Sequence, residues 1–456
     1  MLFMVVPVVW KYKTMSMNDA PRSERLHIAL FGRRNAGKSS LINALTGQQT
    51  ALVSDVPGTT TDPVMKSMEI LPLGPCVLID TAGFDDSGKV GDLRTERTRE
   101  VIKQTDIAII VTDDISLDDE AAWAGLLKQA NVPFVAVLNK VDLMPEVSST
   151  LLADTAKRLG CDVVPVSALH GTGLDLLRKT LAGLMPENEK QSLTGNLAKP
   201  GDTVLLVMPQ DPQAPKGRLI LPQVQTLRDL MDKGCIAMCC TTEGIDQAFA
   251  SLRDPPHLII TDSQVFDIVE QKIPKSHAYA NETDETDETD TPRKGAKPLR
   301  KKDASRLSAL AWGHADEMHE PLLTSFSVLM AAHKGDINYF VESAPAIDRL
   351  TEQSRVLIAE ACTHAPLAED IGREKIPRLL RKRVGQGLTV NIVAGKDFPD
   401  DVRGYDLVIH CGGCMFNRKF MLSRVEQCRA QGVPMTNYGI TIAHVKGILD
   451  KVSLPH

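Results

Sequence analysis

Three thiols and an imidazole near the C-terminal end carry the most specific chemistry in this sequence: Cys362-Thr363-His364, forty-six intervening positions, then Cys411-Gly412-Gly413-Cys414. Cysteine thiolates are the usual ligands of iron–sulfur clusters, and histidine sometimes replaces one of them. The paired glycines let the backbone between Cys411 and Cys414 curl tightly, so that both sulfurs face one centre. The same residues suit tetrahedral zinc, and reduced cysteines buried in a plain core share the composition. Spacing alone leaves these three readings open. Towards the other end, Gly32-Arg33-Arg34-Asn35-Ala36-Gly37-Lys38-Ser39 is a complete GxxxxGKS phosphate loop. Its N–H groups around Gly37, with Gly32, Asn35 and Ser40 beside them, cradle phosphates. Lys38 reaches the β- and γ-phosphates and Ser39 holds magnesium.

Such a loop works only between a strand and a helix. The apolar run Leu26–Phe31 predicts the strand, and Ser39–Leu45 begins the helix. Asp80-Thr81-Ala82-Gly83 ends a second apolar strand, Cys76–Ile79. There Asp80 supports magnesium and the Gly83 amide meets the γ-phosphate. Asn139-Lys140-Val141-Asp142 follows the strand Phe134–Leu138, and Asp142 is placed to accept two hydrogen bonds from a guanine edge, which adenine cannot supply. Ser167-Ala168 follows the strand Val163–Val166 and supports the base from the other side. The substrate is therefore GTP.

These residues resemble the tRNA-modification and ribosome-assembly branch of the translation-factor-type small GTPases. By that resemblance Pro57–Asp62 is the first switch and Thr60 closes onto magnesium, so Lys38, Thr60, Asp80 and Gly83 form the catalytic set. Phe84 stands where a Ras-like enzyme carries a water-orienting glutamine, which predicts slow intrinsic hydrolysis. Asn35 matches the position that binds potassium in cation-activated relatives, and a potassium ion there would offset developing charge as an arginine finger does. Arg33 and Arg34 are expected to face solvent.

At 456 residues the chain is long enough for about three domains. A net charge of −6 argues against a general nucleic-acid binder, and 4% aromatic content against base-stacking platforms. Nine cysteines point to a reducing compartment, hence the cytoplasm, where metal or redox roles outrank disulfides. The apolar stretch Leu2–Trp10 is too short to span a membrane and lacks the flanks of a signal peptide. Residues 1–24 read as an extension, disordered or a misassigned start, and residues 25–188 as the GTPase domain.

From 198 to 275 the pattern restarts as alternating strands and helices, which implies parallel βαβ units. Cys235, Cys239 and Cys240 have strand spacing and read as core. Residues 276–318 form a charged linker: Glu282-Thr283-Asp284 repeats three times, then Arg293, Lys294, Lys297, Arg300, Lys301 and Lys302 reverse the sign. That composition buries too little apolar surface to order itself. In the last domain, 319–456, Leu323–Phe326 leads into a helix through Ala332. Arg355–Ala361 and Tyr405–His410 are strands that end just before Cys362 and Cys411. Ligands at the carboxyl ends of neighbouring parallel strands converge on one crevice.

Glu360-Ala361-Cys362-Thr363-His364, Asp370-Ile371-Gly372, Lys375-Ile376-Pro377, His410-Cys411-Gly412-Gly413-Cys414-Met415 and Asn437-Tyr438-Gly439 closely resemble HydF, the maturation GTPase of iron–iron hydrogenase. The resemblance runs from about residue 20 to the C-terminus and includes Ala214–Leu219. It implies an α/β protein: a P-loop GTPase domain, an α/β dimerisation domain and an α/β iron–sulfur cluster domain. It further implies a 4Fe–4S cluster on Cys362, Cys411 and Cys414, with His364 a candidate fourth ligand. The family is a scaffold that receives a two-iron precursor bearing CO and cyanide and passes it to apo-hydrogenase. Implied partners are that hydrogenase, the radical-SAM maturases of the pathway and a second copy of the chain, with no nucleic acid or membrane. An anionic cargo would favour nearby cations, and Arg373, Lys375, Arg378, Arg381, Lys382 and Arg383 follow Cys362, although such runs are commonly solvated helix faces. His410 either bonds a cluster sulfide or fills the strand end. A ribosome-assembly or tRNA-modification GTPase with a structural zinc site is the alternative.

Overall fold

The structure, a computed structural model, describes residues 22–46, 64–81, 99–114, 116–144, 147–186, 192–209, 219–273, 320–361 and 370–456. Outside them lie residues 1–21 of the N-terminal extension, the first switch with Thr60, Gly83 and Phe84, residues 214–218, the charged linker, and Cys362 with His364. The chain divides into two compact units, 1–186 and 187–456.

The first unit is a six-stranded sheet built from β1 (Leu26–Gly32), β2 (Val64–Ile70), β3 (Gly74–Asp80), β4 (Ile107–Thr112), β5 (Phe134–Leu138) and β6 (Val163–Pro165). Its order is β2-β3-β1-β4-β5-β6, parallel except for β2 against β3. β1, β4 and β5 are buried along their whole length. That is why they read as unbroken apolar runs: helices cover both faces of a parallel sheet. β1 lies between β3 and β4, so the strand order reverses there and a crevice opens at its carboxyl end. The phosphate loop occupies that end and runs directly into α1 (Lys38–Thr46).

The second unit holds two four-stranded parallel sheets. One contains β7 (Thr203–Val207), β8 (Ile236–Cys240), β9 (Leu258–Thr261) and β10 (Leu322–Ser325) in the order β10-β9-β7-β8. The other contains β11 (Arg355–Glu360), β12 (Thr389–Ala394), β13 (Leu407–His410) and β14 (Met435–Asn437) in the order β12-β11-β13-β14. The residues expected only to lead into a helix are strand β10, which completes the first of these sheets. Four residues are too few to show a period. The helix Phe326–Lys334 starts directly after it, capped by Ser325, whose hydroxyl accepts from the Val328 amide at 3.2 Å.

β8 is an edge strand, which corrects the reading of Cys239 as core: it is exposed, while Cys235, just before the strand, and Cys240 are half-buried and pack against the apolar cores. The two sheets of this unit share one apolar core. Leu205, Val207 and Ile259 from one and Leu357, Val408 and Met435 from the other meet Val328, Phe340 and Ile440 in it. Each such side chain stabilises by about 1.5–3 kcal/mol when fully buried. Separating the sheets would forfeit several of those contributions together, so they behave as one body.

Candidate functional site

At the end of β1, Lys38 is buried and donates through Nζ to the carbonyls of Gly32 and Arg33 at 2.9 and 2.8 Å, closing the phosphate loop from inside. Ser39 Oγ donates to Asp80 Oδ2 at 2.6 Å, and Asp80 Oδ1 is buried without a hydrogen-bond partner among the described residues. A carboxylate oxygen left unsatisfied beside a hydroxyl suits a hard cation with oxygen ligands, so this pair fits magnesium.

Asn139 stitches two loops together: its Nδ2 donates to Ala36 O at 2.9 Å and its Oδ1 accepts from Ala168 N at 3.1 Å. Gly37 has φ +92°, and a Cβ there would fall 2.2 Å from Asn139 Nδ2. Glycine is what lets that stitch form. Asp142 Oδ1 accepts from Ser167 Oγ at 2.5 Å, and this hydrogen bond holds the Asp142 carboxyl below its ordinary range. Lys140 adopts φ +58° and pairs with Asp113 at 2.5 Å. Asn35, at φ +61°, and Ser40 are exposed at the rim.

Arg33 does not face solvent as expected. It donates to Ser116 O at 2.6 Å and pairs with Asp114, Asp119 and Glu120 at 3.6, 3.4 and 3.3 Å. Glu120 is fully buried, and burial raises the affinity of its carboxyl for a proton. Acidic residues at and before the start of the helix Asp118–Gln129 draw the guanidinium inward. Nothing in the loop sequence announced them. Arg34 is exposed.

In the second unit, the register Ala359↔His410 sets the carboxyl ends of β11 and β13 side by side. Cys411 N donates to Ala359 O at 2.9 Å, and Ala361 N donates to Cys411 Sγ at 3.0 Å. Gly413 N approaches the same sulfur at 3.5 Å. Burial pushes the Cys411 thiol up to about 11, while these two N–H groups pull the other way. A lone thiol so placed stays protonated, and a bound metal is what would make it a thiolate. Gly413 has φ +66°, and Phe416 N donates back to Gly413 O at 2.9 Å, closing a turn that contains Cys414.

Cys362 lies outside the described residues, but both flanks of its segment are anchored to this strand end. Ala361 is bonded to Cys411 Sγ as above. On the far side, Asp370 accepts from the amides of Gly372 and Arg373 at 2.8 and 2.9 Å, and Arg373 donates twice to the buried Glu360 at 3.1 and 2.9 Å. A Cβ on Gly372 would come within 1.9 Å of Tyr438 Oη, a buried hydroxyl with no hydrogen-bond partner among the described residues. The donor set and these anchored flanks fit a cluster of the three-cysteine type. Among the described residues alone, no group of three or more metal-binding side chains occurs.

His410 is fully buried with both ring nitrogens engaged: Nδ1 with Cys411 O and Nε2 with Arg424 Nη1, each at 2.8 Å. Its ring is therefore committed to protein groups. The basic stretch divides. Lys375 donates to Gln264 Oε1, across the shared core, and Arg383 pairs with Asp348 at 2.5 Å, while Arg378 and Lys382 are exposed on the helix Ile376–Val384. Lys375 thus serves as a tie within the unit. Sequence reasoning missed Arg424 and gave Tyr438 no role of its own. Arg424 was visible as an arginine on the apolar stripe Phe420, Met421, Val425 and Cys428 of the helix Arg418–Ala430.

Comparison with known proteins sorts along the same division. Residues 27–140 match the 50S ribosome-binding GTPase family, residues 193–280 the hydrogen maturase F dimerization domain, and residues 338–455 the hydrogen maturase F tetramerization domain. GTPase Der of Desulforudis audaxviator is 33% identical over 214 residues, 44% of this chain and 48% of that protein. The tRNA modification GTPase MnmE of Xylella fastidiosa is 36% identical over 192 residues, 41% of this chain and 40% of that one. The matches thus span less than half the length of these relatives. A solved structure of Era in complex with MgGDPNP and a segment of 16S ribosomal RNA is similar at a TM-score of 0.32 and 20% identity, covering 47% of this chain and 92% of that one. With both hydrogen maturase F domains following a GTPase domain in a single polypeptide, the chain belongs to the HydF family of hydrogen maturases.

Proposed function

We propose that this protein hydrolyses GTP and serves as a scaffold in the maturation of iron–iron hydrogenase, receiving a two-iron precursor and delivering it to the apo-enzyme. Lys38 and the loop Gly32–Ser40 hold the phosphates, Ser39, Asp80 and Thr60 hold magnesium, and the Gly83 amide meets the γ-phosphate. Asn139, Lys140, Asp142, Ser167 and Ala168 select guanine. Hydrolysis is slow and faster in potassium than in sodium, with Asn35 beside the cation. Its role is to change the affinity for partners, namely the hydrogenase and the radical-SAM maturases.

In the second unit Cys362, Cys411 and Cys414 hold a 4Fe–4S cluster, with His364 the candidate fourth ligand. When bound, the cluster offers an iron to which the anionic cargo attaches. The chain's own part is to aim the sulfurs and exclude water. The observation that carries this reading is the Ala361 amide on the Cys411 sulfur: the residue preceding Cys362 already touches the second cysteine of the set.

Anaerobic reconstitution tests it. The wild type should become brown, bind about four irons with a cluster EPR signal when reduced, and activate apo-hydrogenase once loaded. Cys411→Ser and Cys414→Ser should lose the signal while retaining GTP hydrolysis. A colourless protein holding zinc and co-purifying with RNA would instead support the ribosome-assembly or tRNA-modification reading, to which the names of the relatives of the first unit point.

A further inference from the structure

Beneath the Cys411–Cys414 turn lies a buried cation. Arg424 is 3% exposed, and its guanidinium faces the rings of Phe398, Phe416 and Phe420 at 4.7, 4.8 and 4.9 Å from their centroids. Nη2 donates to Gly395 O at 2.6 Å, in the turn after β12, and Nη1 donates to His410 Nε2 at 2.8 Å. An arginine has only donors, so His410 Nε2 must accept and its proton must sit on Nδ1. From there it donates to Cys411 O at 2.8 Å. The chain Arg424–His410–Cys411 thus fixes both the tautomer of the histidine and the carbonyl of the cysteine. Phe416, two residues after Cys414, is held by Arg424 on its ring and by the buried Lys334, whose Nζ donates to Phe416 O at 2.6 Å.

Resting on the cluster reading above, we infer that Arg424 is a positioning residue for the cluster, holding the Cys411–Cys414 turn through His410 and Phe416. Its buried charge stabilises the more negative, reduced form. A guanidinium keeps its charge when buried, and at low dielectric a nearby positive charge favours the state carrying one more electron. Outer groups of this kind set the potential of clusters. The electron itself comes from an external low-potential donor.

The test is a mediated dithionite titration of the reconstituted full-length protein, followed by EPR, with iron content and circular dichroism measured alongside. Arg424→Lys keeps the charge, and its midpoint should stay near that of the wild type. Arg424→Met should keep the fold and shift the midpoint to lower potential by at least tenfold in the reduction equilibrium, ~59 mV for one electron, or lose the cluster where Lys retains it. If the Met variant does not fold, Arg424→Gln, which keeps two donors without charge, is read the same way. An unchanged midpoint with full iron in the neutral variant overturns the inference, as does equal loss of iron in the Lys and neutral variants. Failure of the cluster reading is separate, because it shows in the wild type as absence of iron.

Discussion

A guanine edge presents two N–H donors, and on the proposed assignment Asp142 receives them as a carboxylate. The Ser167 hydroxyl, 2.5 Å from Oδ1, favours that charged form and lowers the pKa of Asp142. The competent form therefore persists as pH falls and is lost only when the lowered pKa is passed. Ser167→Ala removes the main lowering contribution, so the acid limb of GTP binding should move to higher pH. At neutral pH the loss should be modest, roughly 2- to 10-fold for one hydrogen bond. Fluorescent GTP-analogue binding measured from pH 7 downward checks this, and an acid limb identical to that of the wild type would contradict it. Asn139 works at the same scale through its two hydrogen bonds, which make the phosphate loop and the Ser167-Ala168 turn one framework.

At the scale of elements, the proposed cysteine site depends on how the chain is fastened from residue 370 onward. A π-helical turn, Ile371–Lys375, precedes the helix Ile376–Val384 and is fastened by Asp370 to its own first amides and by Arg373 to Glu360 at the end of β11. π-turns of this kind recur beside functional sites. Gly372 sits at the closest approach, where an added Cβ would overlap Tyr438 Oη and lie 2.8 Å from Glu360 Oε1. Gly372→Ala should therefore destabilise the second unit by ~1–3 kcal/mol through overpacking. On the proposed cluster assignment it should also reduce iron retention, because it displaces the turn that follows the segment carrying Cys362. Thermal unfolding and iron analysis together read this out, and a Tm and iron content equal to the wild type would rule the crowding out.

For the whole molecule, the dimerisation and tetramerisation domains both fall in the second unit. Within the residues matched to the dimerisation domain, β8 forms a sheet edge among the described residues, with Ile236 61% exposed, and Met231 just before it in the chain is 64% exposed. An apolar strand edge is a template for pairing with another chain. We expect Ile236→Glu to raise the dissociation constant of the assembly at least tenfold, as a buried interface anchor does. Light scattering across a concentration series measures it, and an unchanged mass profile would place the interface elsewhere. No helix among the described residues is long and apolar enough to cross a membrane.

How much was legible follows from how local each feature is. That the phosphate loop, Asn139 to Asp142 and Ser167-Ala168 lie together could be read because each is a short contiguous segment following an apolar strand. Most strands flanking the cysteines were legible for the same reason, and their parallel pairing places Cys411 beside the residue preceding Cys362. What could not be read depends on partners distant in the chain. β10 is named by its pairing with β9 across a long interruption, not by its four residues. Cys239 is exposed because β8 lies at a sheet edge, and no strand sequence states its own neighbours. Arg33, Lys375 and Arg424 look alike as residue types. Carboxylates between 114 and 120, the side chain of Gln264, and a histidine together with three phenylalanine rings give them three different roles. The amino-acid order alone determined which chemical groups and which strands exist. Tertiary packing decided which charges are buried and against what, because burial and long-range pairing are properties of the folded chain.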